Sequence, residues 1–332
     1  MCQLSISQII STHPRERLYT HPLVWTARHL GLLSCEFFND GTITVVPLIP
    51  PNVPGSPQEQ PNTNILPAPT TLPINYPSAP DNVLDPDNEW RHYFAKLGSD
   101  TNAAHSLATC RNSISKQRAL SQLLGLEPCS DKVHFQFACR TVADLPCYSF
   151  SCTPPLAQLG YINLSDIAWH RRNKLSGLGV GCKHRPPNPP GIRVINKQLR
   201  RITPDDPHKD PYIAALLIAL AQKQRVHLGN DNSGSQVLLA TLLGDEWLYI
   251  YTSMVSLEFL DGLDNPSRLP PAGAQSRLGM AIYRRRLAFK PYETLPRRLA
   301  VVVRDAGLAR EYGSTDLDKP QTEAVAEQAS GS

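Results

Sequence analysis

The sequence has no run of the roughly 18 apolar residues that a helix needs to cross a bilayer; its most apolar stretch, residues 211–222, falls short. The N-terminal residues lack the apolar core and small-residue cleavage site of a secretory signal, since His13, Arg15, Glu16 and Arg17 stand where that core would lie. The expected setting is intracellular, cytoplasmic or nuclear, without a membrane. Cysteine is sparse, 8 residues in 332, so free thiols are expected rather than a disulfide scaffold. No Gly-rich phosphate loop and no GxGxxG behind a strand supports a nucleotide. There is no GxSxG elbow, no zinc-protease helix pattern and no kinase catalytic loop. No cofactor, metal or catalytic residue is expected, and the chain reads first as a non-catalytic interaction or accessory module.

What is present centres on residues 206–261, which read helix, loop, strand, turn, strand, helix. Asp210-Pro211 is a helix start, the carboxylate accepting from orphan amides and proline tolerated in the first turn. Tyr212 to Ala221 carry no charge and are apolar on every face, which predicts a helix buried all round. Val237–Leu243 and Trp247–Thr252 are β-rich runs on either side of Gly244-Asp245, a hairpin signal. The fold class expected is α/β or α+β, with one mixed sheet and packed helices around this buried helix and hairpin.

The hydrophobic content of 41 % is enough for an ordinary core. Residues 1–46 should add a hairpin to the main domain, turning at Asn39-Asp40-Gly41. Residues 47–88 hold 12 prolines and no Lys or Arg, which predicts an extended linker or disordered insertion. The main domain runs over 89–310, and 311–332 is an acidic tail expected to be disordered. Within the main domain, helices are expected near Trp90–Leu97, over 112–126, from Ser165 to Leu175 and over 296–308. Strands are expected at 133–137, where Val133, Phe135 and Phe137 alternate with polar residues, at 147–151, at Ile192–Ile195 and over 280–289.

Net charge is only +4, but its distribution is uneven. Residues 163–201 hold nine Lys/Arg, among them Arg171, Arg172, Lys174, Arg200 and Arg201, against the single acid Asp166. Residues 276–310 hold nine more, including Arg284, Arg285 and Arg286, against Glu293 and Asp305. If folding joins them, these eight named residues make a surface for nucleic acid or an acidic protein. The bland alternative is two solvated faces.

Cys129, His134, Cys139, Cys147, Cys152, His170, Cys182 and His184 lack the close-pair spacing of zinc ligands, so buried thiols are expected instead. Asp205, Asp206, Asp210, Asp245 and Glu246 beside a helix and hairpin resemble the αβββα core of restriction-endonuclease-like nucleases. That family follows its second acid by a lysine two residues on; here Leu248 follows Glu246 and Leu260 follows Glu258. The resemblance implies at most a degenerate, nucleic-acid-associated relative, the second functional reading. The strings Asp210–Gln222, Leu248–Thr252, Phe259–Asp261 and Phe289–Thr294 resemble a group of uncharacterised proteins of filamentous fungi, over the C-terminal third. That resemblance implies a source and an intracellular setting. A third reading, an accessory enzyme of a fungal metabolic pathway, rests on it and requires a pocket with convergent polar groups.

Overall fold

A computed structural model describes residues 5–14, 16–42, 100–151, 158–177, 189–228, 235–242, 246–269 and 279–312. All of them belong to one compact unit. The proline-rich segment, the Trp90–Leu97 helix, the Gly244-Asp245 turn and the tail beyond residue 312 lie outside the described residues.

The protein is mixed α/β. Its main sheet has seven strands among the described residues, in the order β1-β9-β8-β7-β6-β5-β2. These are β1 (Cys35–Thr42), β2 (Glu127–Cys129), β5 (Tyr148–Ser151), β6 (Gln158–Asn163), β7 (Ser235–Leu242), β8 (Trp247–Val255) and β9 (Met280–Ala288). β8 runs antiparallel to both β7 and β9, while β1 is parallel to β9 and β6 parallel to β7. A separate hairpin pairs β3 (Val133–Phe137) with β4 (Arg140–Leu145).

The helices are α1 (Ile6–Thr12), α2 (Ala27–Leu32), α3 (Thr101–Thr109), α4 (Ser113–Leu124), α5 (Leu164–Ser176), α6 (Pro189–Ile202), α7 (Pro211–Leu228), α8 (Leu257–Asp264) and α9 (Leu295–Tyr312). α7 is the buried helix the sequence predicts: every residue from Tyr212 to Ala221 is fully buried. It packs in one core with Leu239, Tyr251, Val255, Met280 and Ile282 from one sheet face, and with Val133, Phe135 and Phe137 from the β3–β4 hairpin. Gln222 fastens that hairpin, accepting from the Gln136 amide at 3.0 Å and donating to the Gln136 carbonyl at 2.9 Å. On the opposite sheet face, Leu295, Leu299 and Val302 of α9 are buried. Helices on both faces of a mixed sheet are the layered solution that strands apolar on both sides demand.

Local chemistry explains the helix ends. Asn112 and Asn163 cap α4 and α5 through their side chains, and Gly125 and Gly177 stop them at φ of 58° and 62°.

Two expectations are corrected. Asn39-Asp40-Gly41 is not a turn; it lies inside β1, whose register against β9 becomes irregular between Asn39 and Thr42. Pairing with β9 outweighs the local turn preference, at the cost of a bulge. Ile192–Ile195 is not a strand but part of α6. There Ile192, Ile195, Leu199 and Ile202 recur at helical spacing, and a short apolar run does not distinguish the two periods.

Candidate anion-binding surface

β9 divides the three arginines that the sequence presents as one cluster. Successive side chains of a strand point to opposite faces. Arg284 and Arg286 therefore share the face of Met280 and Ile282, the α7 side, whereas Arg285 shares the opposite face with Leu287. Across the ladder Tyr251 is registered with Arg284 and Tyr249 with Arg286. Trp247 continues the same face, and the Arg286 guanidinium stacks over its ring, 4.8 Å from the centroid. Trp247, Tyr249, Arg284 and Arg286 are all at least partly exposed, because α7 buries this face only as far as Tyr251 and Ile282.

His208 completes the surface from the turn before α7. Its ring lies 4.2 Å from that of Tyr249, and its Nδ1 is 3.3 Å from the Tyr251 hydroxyl, which donates to the His208 carbonyl at 3.2 Å. Burial, reinforced by Arg284, holds the His208 pKa below its ordinary value against the opposing pull of Asp206. Burial raises the Tyr251 phenol well above its usual range. Tyr251 thus serves the core, and Tyr249 the site. The group is a row of aromatic rings flanked by two guanidinium ions, suited to planar, anionic ligands.

The other predicted basic residues are distributed differently. Arg171 is withdrawn from the set: it is 2 % exposed, its Nη atoms both lie 2.6 Å from the Asp210 carboxylate and its Nε donates to the Leu23 carbonyl at 2.9 Å. Arg171 continues the buried i, i+3, i+7 spacing of Leu164 and Ile167 on α5, which turns it inward. Arg172 and Lys174 of α5 are exposed, as are Arg193, Lys197, Arg200 and Arg201 of α6. α6 packs on α5 and buries none of its residues. Its cations fall opposite the stripe of Ile192, Ile195, Leu199 and Ile202 on a helical wheel. His208, in the turn after α6, lies within the field of Arg284. Sequence reading missed Trp247 and His208; Trp247 could have been found from its two-residue spacing to Tyr249 and Tyr251.

Asp245 lies outside the described residues, and of the described carboxylates Asp206 and Asp210 are engaged elsewhere. Asp210 is consumed by Arg171 and by the Tyr212 amide, 2.8 Å from Oδ1, and Asp206 caps the turn by accepting from the His208 amide. Among the described residues no group of three His, Cys, Asp or Glu is arranged to hold a metal ion. α8 also separates β8 from β9, so the element order departs from the expected αβββα. The thiols of Cys35 and Cys147 are pushed up to about 12 by burial, but Cys139 is exposed, against the expectation of buried thiols throughout. Among the described residues no helix is long and apolar enough to cross a membrane. The chain matches no protein-family model, no curated protein and no solved structure.

Proposed function

We propose that the protein is a non-catalytic module that binds single-stranded nucleic acid across the β8–β9 ladder. The observation that carries this reading is the sharing of one sheet face by Trp247, Tyr249, Arg284 and Arg286, with His208 beside them. Exposed bases stack on aromatic or guanidinium planes, and arginines neutralise the phosphates between them. The expected setting is the cytoplasm or nucleus, and the sequence resemblance favours a filamentous fungus.

The test is fluorescence anisotropy with labelled single- and double-stranded DNA and RNA between about 50 and 200 mM salt, where phosphate contacts show themselves. Single strands should bind, weaken steeply with salt and be released by Arg284→Ala with Arg286→Ala. Arg285→Ala, on the other face, should leave binding within about twofold, a change below 0.5 kcal/mol. Absence of binding at the lowest salt, or equal loss in all three arginine variants, rejects the proposal.

A second reading rests on α6. Val194, on the cation side of α6 with Arg193 and Lys197, is 57 % exposed, Ile192 on the opposite stripe is 47 % exposed, and Trp169 of α5 is 57 % exposed. Aliphatic groups gain nothing from a phosphate backbone, so this face suits an acidic, amphipathic protein segment. A labelled acidic amphipathic peptide should bind and be lost on Arg193→Glu with Lys197→Glu; unchanged binding rejects it.

A further inference from the structure

Three strands along the sheet from Arg284 and Arg286, at the C-terminal end of β6, the chain passes directly into α5 and leaves a cleft of about 410 Å³. It is lined by Lys132 and Asp144 of the β3–β4 hairpin, Tyr148, Tyr161, and Asp166 and His170 of α5, with Leu145, Pro146 and Ile162 as apolar wall. That volume lies in the range of small-molecule sites, and a few polar groups converging on an apolar wall are their usual make-up.

The charges at the cleft select the ligand. At the rim, Asp144 is already matched, with Lys132 Nζ at 3.1 Å and His134 Nδ1 at 2.8 Å. Asp166 is different: among the described residues its carboxylate accepts only from hydroxyls, Ser113 Oγ at 2.6 Å and Ser165 Oγ at 3.5 Å. Among the described residues no lysine or arginine closes an ion pair with it. His170, one helical turn on, does not supply the missing charge, because burial lowers its pKa despite the opposing field of Asp166. His21, whose field from Lys174, Asp144 and His170 marks it as a neighbour, is held neutral in the same way.

The floor adds two features. The rings of Tyr148 and Tyr161 stack nearly parallel, 6.1 Å apart with 19° between planes, and of the two Tyr148 is the partly exposed one. The Tyr161 side chain is fully buried and its hydroxyl has no hydrogen-bond partner among the described residues. Burial and Asp166 keep that phenol protonated. A buried polar atom without a partner is the mark of a site completed by water or ligand.

We propose that this cleft binds a small organic cation, a primary amine on a short aromatic or apolar frame, with its ammonium on Asp166 and its frame against Tyr148. An anion would meet two carboxylates and a lysine already engaged by one of them. A cation supplies Asp166 with a charged partner and gains from the Tyr148 ring. The site is independent of the nucleic-acid surface.

The experiment is isothermal titration calorimetry of the full chain with tyramine, with 4-hydroxyphenylacetate and glucose as anionic and neutral probes. Tyramine should bind saturably at one site. Asp166→Asn, which keeps the shape and the Ser113 contact, should weaken it by about tenfold or more, the scale of a lost charge-assisted contact. Asp144→Asn should change it by less than about threefold, as expected of a rim charge. No saturable tyramine binding, equal binding of 4-hydroxyphenylacetate or glucose, or indifference to Asp166→Asn would overturn the proposal. The comparison of probes on the unaltered chain does not depend on any variant folding.

Discussion

The Arg171 guanidinium grips the Asp210 carboxylate through two hydrogen bonds of 2.6 Å, with the side chains only 2 % and 6 % exposed. This contact ties α5 to the start of α7, and the third Arg171 donor, on Leu23, brings in the N-terminal segment. A desolvated pair of this kind contributes little net stability while intact, because desolvation offsets attraction. Breaking it strands a buried charge.

Arg171→Met or Asp210→Asn alone should therefore cost about 3–5 kcal/mol, each leaving a buried partner uncompensated. Combining Arg171→Met with Asp210→Asn should cost clearly less than the sum of the two single changes. Urea unfolding monitored by tryptophan fluorescence measures all of them; additive losses would show that the two side chains act separately.

Two glycines sit where a methyl group has no room, and they differ in what stands in the way. A Cβ on Gly160 would come within 2.7 Å of Leu220 Cδ1 and 2.9 Å of Leu239 Cδ1, both ends of flexible side chains. On Gly279 it would come within 2.6 Å of the Ser34 carbonyl oxygen, which is fixed because it accepts the Met280 amide at 3.2 Å. Gly160→Ala should cost about 1–3 kcal/mol, the usual range for overpacking. Gly279→Ala should cost at least as much and loosen β1 from β9, visible as faster amide exchange at Phe37 and Ile282.

Much of this architecture was legible because local pattern and tertiary role agree. α7 is apolar on every face and buried on every face, and β3 alternates in sequence as it alternates in burial. The failures occur where they conflict. Asn39-Asp40-Gly41 has turn chemistry but is captured as an edge strand by β9, a partner some 240 residues away. Ile192–Ile195 is too short to reveal its period. At the candidate surface, charge grouped residues that the element periods divide: the pleat of β9 separates Arg285 from Arg284 and Arg286, and the spacing of Arg171 from Leu164 and Ile167 turns it inward on α5. The cleft was invisible for a related reason, since Asp144, Tyr161 and Asp166 come from three elements whose proximity is set by sheet order.

Gln222 makes the hairpin's attachment testable. Gln222→Ala removes both contacts to Gln136, leaving a backbone N–H and C=O unmatched in a half-buried position, and should cost about 1–3 kcal/mol. Gln222→Glu keeps the acceptor for the amide but sets a carboxylate oxygen against the carbonyl, and should recover only part of the loss. Hydrogen exchange at the Gln136 amide should rise in the order wild type, Glu, Ala.

His21 sets a pH dependence whose sign follows from its contacts. Its Nδ1 accepts from the Leu23 amide at 3.2 Å, a bond that needs the ring nitrogen unprotonated. Burial first, and then the field of Lys174, lowers its pKa from 6.5 to about 4, with Asp144 opposing. Above the unfolded value the residue is neutral in both states and stability is indifferent to it. As pH falls below 6.5 the unfolded chain takes up a proton that the folded chain refuses, so stability falls until about pH 4, where both states are protonated. Because the ring is only half-buried, solvent screening limits the loss to roughly 1–2 kcal/mol. His29 and His170 are shifted in the same direction, so the total decline does not isolate His21. His21→Asn does, since its amide oxygen can still accept from Leu23 and does not titrate. Urea unfolding at pH 7.5, 5.5 and 4.5 should show the wild type losing about 1–2 kcal/mol more than the variant across that range; parallel curves would mean that the His21 ring is protonated as easily in the folded protein as in the unfolded chain.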